Sequence, residues 1–133
     1  MPVTKALHVK NMKILFSVIL ILLCSTSAYS DSWVAVDGGV VEIQLKSKEL
    51  ENSLWQYLSV NSKRKFEERS SYIYQYQATS KKTIRINAMC HVFSKEGLNE
   101  EFVLVFDGGS CYFEVKYNIK TGKFTDLFVN GSS

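Results

Sequence analysis

The sequence predicts an α+β fold: one helix packed on an antiparallel meander sheet of four to five strands, with one disulfide. Apolar residues recur at the helical period of about 3.6 between residues 50 and 58, and at the strand period of about two after residue 72. Cys90 and Cys111 fall on the apolar faces of two predicted strands. A helix followed by hairpin-linked strands is typical of α+β domains.

The first thirty residues have the pattern of a secretory signal peptide. Three lysines and no acid precede an apolar run over 14–23, and small side chains follow at Ala28 and Ser30. Cleavage is therefore predicted before Asp31. The predicted organisation is a signal peptide over 1–30 and a single domain over 31–133.

Two other fates of this segment stay open. A permanent anchor is favoured less, because the apolar run is shorter than the ~20 residues that span a bilayer. A lipoprotein attached through Cys24 is also favoured less, since the bulky Leu23 stands where a small residue normally precedes the lipid-modified cysteine. We therefore expect a periplasmic or secreted protein with no membrane span after cleavage.

Cleavage would leave two cysteines, Cys90 and Cys111. An even pair in an exported protein usually forms a disulfide, because that compartment is oxidising. The bridge would close a loop of about 22 residues, for which the chain-entropy account gives about 3 kcal/mol of stabilisation. We interpret the pair as structural and not redox-active, because the sequence has no C-x-x-C motif.

The charge balance argues against a nucleic-acid partner. The chain has 16 basic and 13 acidic residues, but three of the lysines lie in the predicted signal peptide, so residues 31–133 carry 13 of each sign. A neutral domain lacks the electrostatic attraction that supplies most non-specific binding to nucleic acids. The basic run 63–65 is followed by Glu67 and Glu68, so we interpret it as a solvated loop.

The elements follow in order along the chain. Apolar runs over 33–36 and 40–45 flank Asp37-Gly38-Gly39, which predicts a hairpin or tight turn. A helix is then predicted with Ser47 as N-cap and one apolar face. That face is formed by Leu50, Leu54, Tyr57 and Leu58.

Five strand-like segments follow the polar, charged stretch 61–71. Segments 72–78 and 83–90 alternate with period two and are joined by a hairpin at 79–82. Segment 102–106 is apolar on both faces, so we predict that it is the most buried strand. Segments 111–117 and 124–129 complete the sheet, with Gly122 in the turn between them.

The order of elements over about residues 40–129 resembles the cystatin-like fold, with a strand, a helix and then a four-stranded meander. Cystatins that inhibit papain-type proteases use a Gln-x-Val-x-Gly hairpin loop. At the matching hairpin this chain has Gln75-Tyr76-Gln77-Ala78-Thr79, without the Val and the Gly, so the protease-blocking residues do not carry over. The stretches 107–117 and 121–124 are similar to small bacterial exported proteins of unassigned role. A resemblance of fold does not determine function.

Catalytic and metal-binding sets are poorly represented in the sequence. After cleavage His91 is the only histidine, and its neighbour Cys90 is expected to point to the opposite face and to be oxidised. One histidine and two bridged cysteines do not supply a zinc site. No phosphate loop or dinucleotide fingerprint occurs. We therefore predict no catalytic residues, no metal and no cofactor.

Two faces of the predicted sheet are candidates for recognition. Tyrosine side chains at alternate positions form a stripe that either packs under the helix or serves as an interface. If the helix buries the stripe, the polar side chains of the opposite face become the exposed candidate surface. The stripe comprises Tyr72, Tyr74 and Tyr76, and the polar face comprises Gln75, Gln77, Arg85, Asn87 and Glu114.

The leading hypothesis is a small exported binding protein, inhibitor-like or immunity-like, that recognises another protein of the exported compartment through its surface. The alternative is a small-ligand carrier or weak hydrolase with a pocket between the helix and a curved sheet. A structural component of a larger envelope assembly is a third reading and is hard to separate from the first.

Overall fold

The computed structural model describes residues 32–131. The predicted signal peptide, its cleavage site and Cys24 lie outside the described residues. In chain order the elements are a strand β1 (Trp33–Ala35), a helix α1 (Ser47–Asn61) and four strands. Those strands are β2 (Tyr72–Ala78), β3 (Thr83–Cys90), β4 (Tyr112–Asn118) and β5 (Lys123–Val129), with short 3₁₀ turns at Arg69–Ser71 and Gly109–Cys111.

The five strands form one sheet in the order β1-β2-β3-β4-β5. Strands β2 to β5 make the predicted antiparallel meander, with Tyr74 opposite Ala88 and Ala88 opposite Phe113. The prediction of an entirely antiparallel sheet is wrong, because β1 pairs with β2 in parallel. A parallel pair needs a crossover connection, and α1 supplies it. The cystatin-like class stays a prediction.

The helix and one face of the sheet enclose the core. Leu50, Leu54 and Leu58 are buried at the predicted spacing, and they pack on the sheet with Ile86 and Val115. Ser47 is the first helical residue and not the N-cap; Lys46 takes the cap position and makes no side-chain cap hydrogen bond. Burial of the leucine side chains therefore stabilises α1 more than capping at its N-terminus does.

Two segments that were predicted as strands are irregular. Residues 40–45 form no strand, although the amide of Val40 donates to the carbonyl of Ala78 in β2 at 3.0 Å. Residues 102–106 are not a strand either, and Leu104 and Phe106 are exposed. The prediction that this segment is the most buried strand is wrong, because β3 pairs directly with β4 and leaves no place between them.

The disulfide between Cys90 and Cys111 is present and links the end of β3 to the start of β4. It closes the loop over residues 91–110, which we call the strap. The strap leaves the sheet at His91, with φ +55°, and returns through Gly108, with φ +90°. A Cβ on Gly108 would lie 2.6 Å from the ring of Tyr112, so only glycine fits there.

The strap covers the face of the sheet opposite to α1, and gives the domain a helix, a sheet and an irregular third layer. It reaches the turn after β1, where the amide of Asp37 donates to the carbonyl of Asn99 at 2.8 Å. It ends beside β5, where the amide of Gly109 donates to the carbonyl of Gly131 at 3.0 Å. Within residues 32–131, no helix is long and apolar enough to cross a bilayer.

Candidate recognition surface

The tyrosine stripe lies between the helix and the sheet. Tyr72 and Tyr74 are buried, and Tyr76 is half-buried. The ring of Trp33 stacks on Tyr74 with centroids 4.4 Å apart, and Trp55 Nε1 donates to the Tyr74 hydroxyl at 2.7 Å. Tyr72 and Tyr74 are therefore part of the core and are not available to a partner.

The two buried phenols make stability sensitive to alkaline pH. Burial raises the pKa of Tyr74 far above its ordinary value of 10.0, although the hydrogen bond from Trp55 acts in the opposite direction. Burial also raises the pKa of Tyr72. The folded state favours the protonated phenols. Their contribution to the free energy of unfolding is therefore complete below the unfolded-state pKa of about 10, and it is lost as the pH rises towards their folded-state pKa values.

We therefore expect the free energy of unfolding to fall above pH ~10, with Tyr72 and Tyr74 ionising only as the protein unfolds. Urea titrations at several alkaline pH values, read by fluorescence, measure this slope. Tyr74→Phe removes one of the phenols and should make the slope shallower. A slope equal to that of the unmodified protein would contradict the assignment.

Gln75 lies on the other face of the sheet and is buried under the strap. Its Nε2 donates to the carbonyls of Leu98 at 2.7 Å and Glu101 at 2.8 Å. Its Oε1 accepts from the amide of Val103 and from Nδ2 of Asn87, each at 2.9 Å. All four hydrogen-bonding positions of the amide are thus used, three of them by the backbone of the strap.

Two further amides hold the same segment. Asn87 Nδ2 also donates to the carbonyl of Val103 at 3.0 Å. Nδ2 of the buried Asn130 donates to the carbonyls of Val105 and Asp107. The irregular backbone of the strap therefore obtains from side chains the hydrogen bonds that a strand would obtain from its neighbour.

Arg85 and Glu114 extend these contacts. Arg85 Nη2 donates to Glu114 Oε2 at 2.7 Å, and the Phe102 ring of the strap lies 4.3 Å from the guanidinium carbon. A stacked guanidinium with a carboxylate partner is a favourable arrangement for a half-exposed arginine. Gln77 is half-buried and donates to the carbonyl of Asp37. The strap therefore packs on the polar face of the sheet that the sequence predicts.

The outer side of the strap carries large apolar side chains in full contact with solvent. Phe93 is fully exposed, and Phe106 and Leu104 are exposed to 95% and 69%. Phe128 of β5, also exposed, lies opposite Glu114 in the pairing of β4 with β5, on the strap side of the sheet. We take these exposed apolar side chains of the strap as the candidate site of interaction.

The strap is also acidic, unlike the rest of the described chain. It contains Lys95 against Glu96, Glu100, Glu101 and Asp107, a net charge of −3. Residues 32–90 and 111–131 together contain 12 basic and 8 acidic residues, a net charge of +4. The four acidic side chains are exposed, so the apolar surface of the strap is accompanied by negative charge.

No family model, curated protein or solved structure compared with this chain matches it. The functional argument therefore rests on the surface itself. We call the exposed side chains of Phe93, Leu104 and Phe106 the strap surface.

Chemistry-bearing residues are dispersed in the part of the chain that the structure describes. No group of three or more His, Cys, Asp and Glu side chains there could hold a metal ion. His91 is exposed, with its Nε2 4.0 Å from Glu67 Oε2. Cys90 and Cys111 form the disulfide, so neither is a free thiol.

Two grooves open on the described surface, and one of them is lined by residues of α1. A groove of about 660 Å³ runs between residues 35–45 and the end of β2. A second, of about 360 Å³, lies between the start of α1 and the turn after β4. The inner side of α1 is filled by its buried leucines, so neither groove is the predicted pocket between helix and sheet.

Sequence reasoning missed the strap surface and Asn130. The run 102–106 has the pattern of a core strand, because it is apolar on both faces. The one available signal for a loop is the position of this run between the two cysteines, where it is flanked by Glu100-Glu101 and by Asp107-Gly108-Gly109. Asn130 follows the last strand and has no pattern that marks it.

Proposed function

We propose that this protein is a non-enzymatic binding protein that recognises another protein through the strap surface. The observation that carries the proposal is the full exposure of Phe93 and Phe106 on a loop closed by a disulfide. Aromatic side chains are enriched where protein partners bind.

The way in which the strap is held supports this function. The disulfide joins its ends, and the amides of Gln75, Asn87 and Asn130 hold its middle and its return to the sheet. A loop that is already ordered loses little conformational entropy on binding, so more of the contact energy appears as affinity. Such a preformed loop suits an inhibitor-like or immunity-like role.

The charge of the strap defines the kind of partner. Its aromatic side chains fit an apolar pocket, and its exposed carboxylates fit a rim of basic residues around that pocket. We propose that the partner is a protein of the exported compartment, in agreement with the predicted signal peptide and the disulfide. Localisation to the periplasm or the medium is part of this proposal.

Replacement of Phe106 by Ser is expected to weaken partner binding by about thirtyfold without loss of stability. A central aromatic contact contributes about 2 kcal/mol or more to binding, which corresponds to about a thirtyfold loss of affinity. Because the Phe106 side chain is solvent-exposed, the free energy of unfolding of the Phe106→Ser variant should differ from that of the unmodified protein by less than about 0.5 kcal/mol. Affinity is measured by calorimetric titration with the partner protein captured from the exported fraction. Stability is measured by unfolding each variant in urea.

The matched control is Val60→Ser, which removes an exposed apolar side chain from α1, on the other side of the sheet. It should bind as tightly as the unmodified protein. The proposal fails if Phe106→Ser and Val60→Ser bind alike, or if no protein of that fraction distinguishes Phe106→Ser from the unmodified chain.

A further inference from the structure

One end of the sheet brings lysines from three elements together. The turns after β2 and after β4 are adjacent there, since the amide of Ile119 donates to the carbonyl of Lys82 at 2.7 Å. The start of α1 adjoins the turn after β4, because Lys46 and Glu49 line one groove with Ile119. The exposed lysines of this region are Lys46, Lys81, Lys82, Lys120 and Lys123, which we call the lysine end.

The ammonium groups of the lysine end have no ion-pair partner within residues 32–131. The salt bridges of the described chain involve Arg69, Arg85, His91 and Lys116 instead. Glu49 also lines the groove beside Lys46 and offsets part of the charge. A group of unpaired like charges creates a positive potential that attracts an anionic surface.

Exposed aliphatic side chains accompany these charges. Ile119, in the turn after β4, is exposed to 39%. Val40, whose amide bonds to the last residue of β2, is exposed to 64%. An aliphatic side chain gains free energy by entering the boundary between lipid headgroups and acyl chains, whereas phosphate contacts with a nucleic acid would use the lysines alone.

We propose that the lysine end docks the protein on the surface of an anionic phospholipid bilayer. Clusters of about four to eight basic residues are typical of such docking, and the attraction decreases with salt over about a Debye length. The strap begins at the opposite end of β3 from the turn that carries Lys81 and Lys82. Docking would therefore be an activity separate from recognition by the strap surface.

The test is co-sedimentation of the full chain with vesicles of phosphatidylglycerol and phosphatidylcholine, compared with phosphatidylcholine alone. The variant Lys81→Glu/Lys120→Glu should lower the partition coefficient on anionic vesicles by at least about tenfold. The control Lys63→Glu/Lys65→Glu makes the same change of charge in the loop after α1, and it should lower partition less than about twofold. Residues 1–30 are identical in every variant, so the difference in partition between variants reports the substituted lysines.

Circular dichroism of each variant verifies that it is folded. Loss of binding on raising the salt concentration would support docking through charge. The proposal is overturned if anionic vesicles are not preferred, or if both pairs of substitutions reduce partition equally. Tighter binding to duplex DNA than to vesicles at the same ionic strength would also overturn it and would assign the lysine end to nucleic acid.

Discussion

Replacement of Gln75 by Ala is expected to lower the free energy of unfolding by about 3 kcal/mol, because four hydrogen bonds of a buried amide are lost at once. Each such bond contributes about 0.5–1.5 kcal/mol, and the strap carbonyls of Leu98 and Glu101 would be left without this donor. Urea unfolding monitored by tryptophan fluorescence measures the change. The strap should also become susceptible to trypsin at Lys95.

Gln77→Ala is the matched control, because this glutamine lies two residues further on the same face and makes one hydrogen bond, to Asp37. We expect it to cost less than about 1 kcal/mol. Gln75→Glu separates hydrogen bonding from packing: its shape is similar, but a carboxylate cannot donate to the two carbonyls. A variant Gln75→Glu as stable as the unmodified protein would contradict the assigned role.

Reduction of the Cys90–Cys111 disulfide is expected to lower the free energy of unfolding by about 3 kcal/mol, as the chain-entropy account gives for a loop of this length. The strap should lose its order before the rest of the domain does, since the bond joins its two ends. Binding through the strap surface should weaken in parallel. The measurement is urea unfolding with and without dithiothreitol.

The double variant Cys90→Ala/Cys111→Ala is the control, because dithiothreitol should not change its unfolding midpoint. An unmodified protein whose midpoint is the same in both buffers would show that the bond is dispensable. Gln75 and the disulfide constrain the same strap, so we expect their effects to be non-additive. Gln75→Ala should cost less in the reduced protein than in the oxidised one.

Elements with a regular period could be predicted from the sequence. The leucine stripe of α1, the hairpin at 79–82 and the alternation of β2 and β3 each follow from which side chains face the core. The cysteine pairing also follows once Cys24 is assigned to the predicted signal peptide, because the two remaining cysteines allow one bond. These features depend on residues that are close in sequence or on a single choice of partner.

The third layer could not be predicted, because no local pattern specifies what covers a sheet. Alternation in β2 indicates that Gln75 lies opposite the tyrosines, and a glutamine there is ordinarily interpreted as solvent-exposed. Its burial depends on the backbone of residues 98–103, which are distant in sequence. The direct pairing of β3 with β4 likewise leaves no place for residues 102–106 in the sheet, and Phe106 is exposed as a result.

The sequence by itself determined the helix, the hairpin of β2 and β3, and the disulfide, since the hydrophobic period is a local property and cysteines can be counted. Only the tertiary structure decided where charge and apolar surface lie. Near neutrality of residues 31–133 conceals an acidic strap and a lysine end, because summed charge carries no positions. Likewise, the apolar run at 102–106 acquired its exposure from strand pairing elsewhere, and this places candidate recognition residues where a core strand was expected.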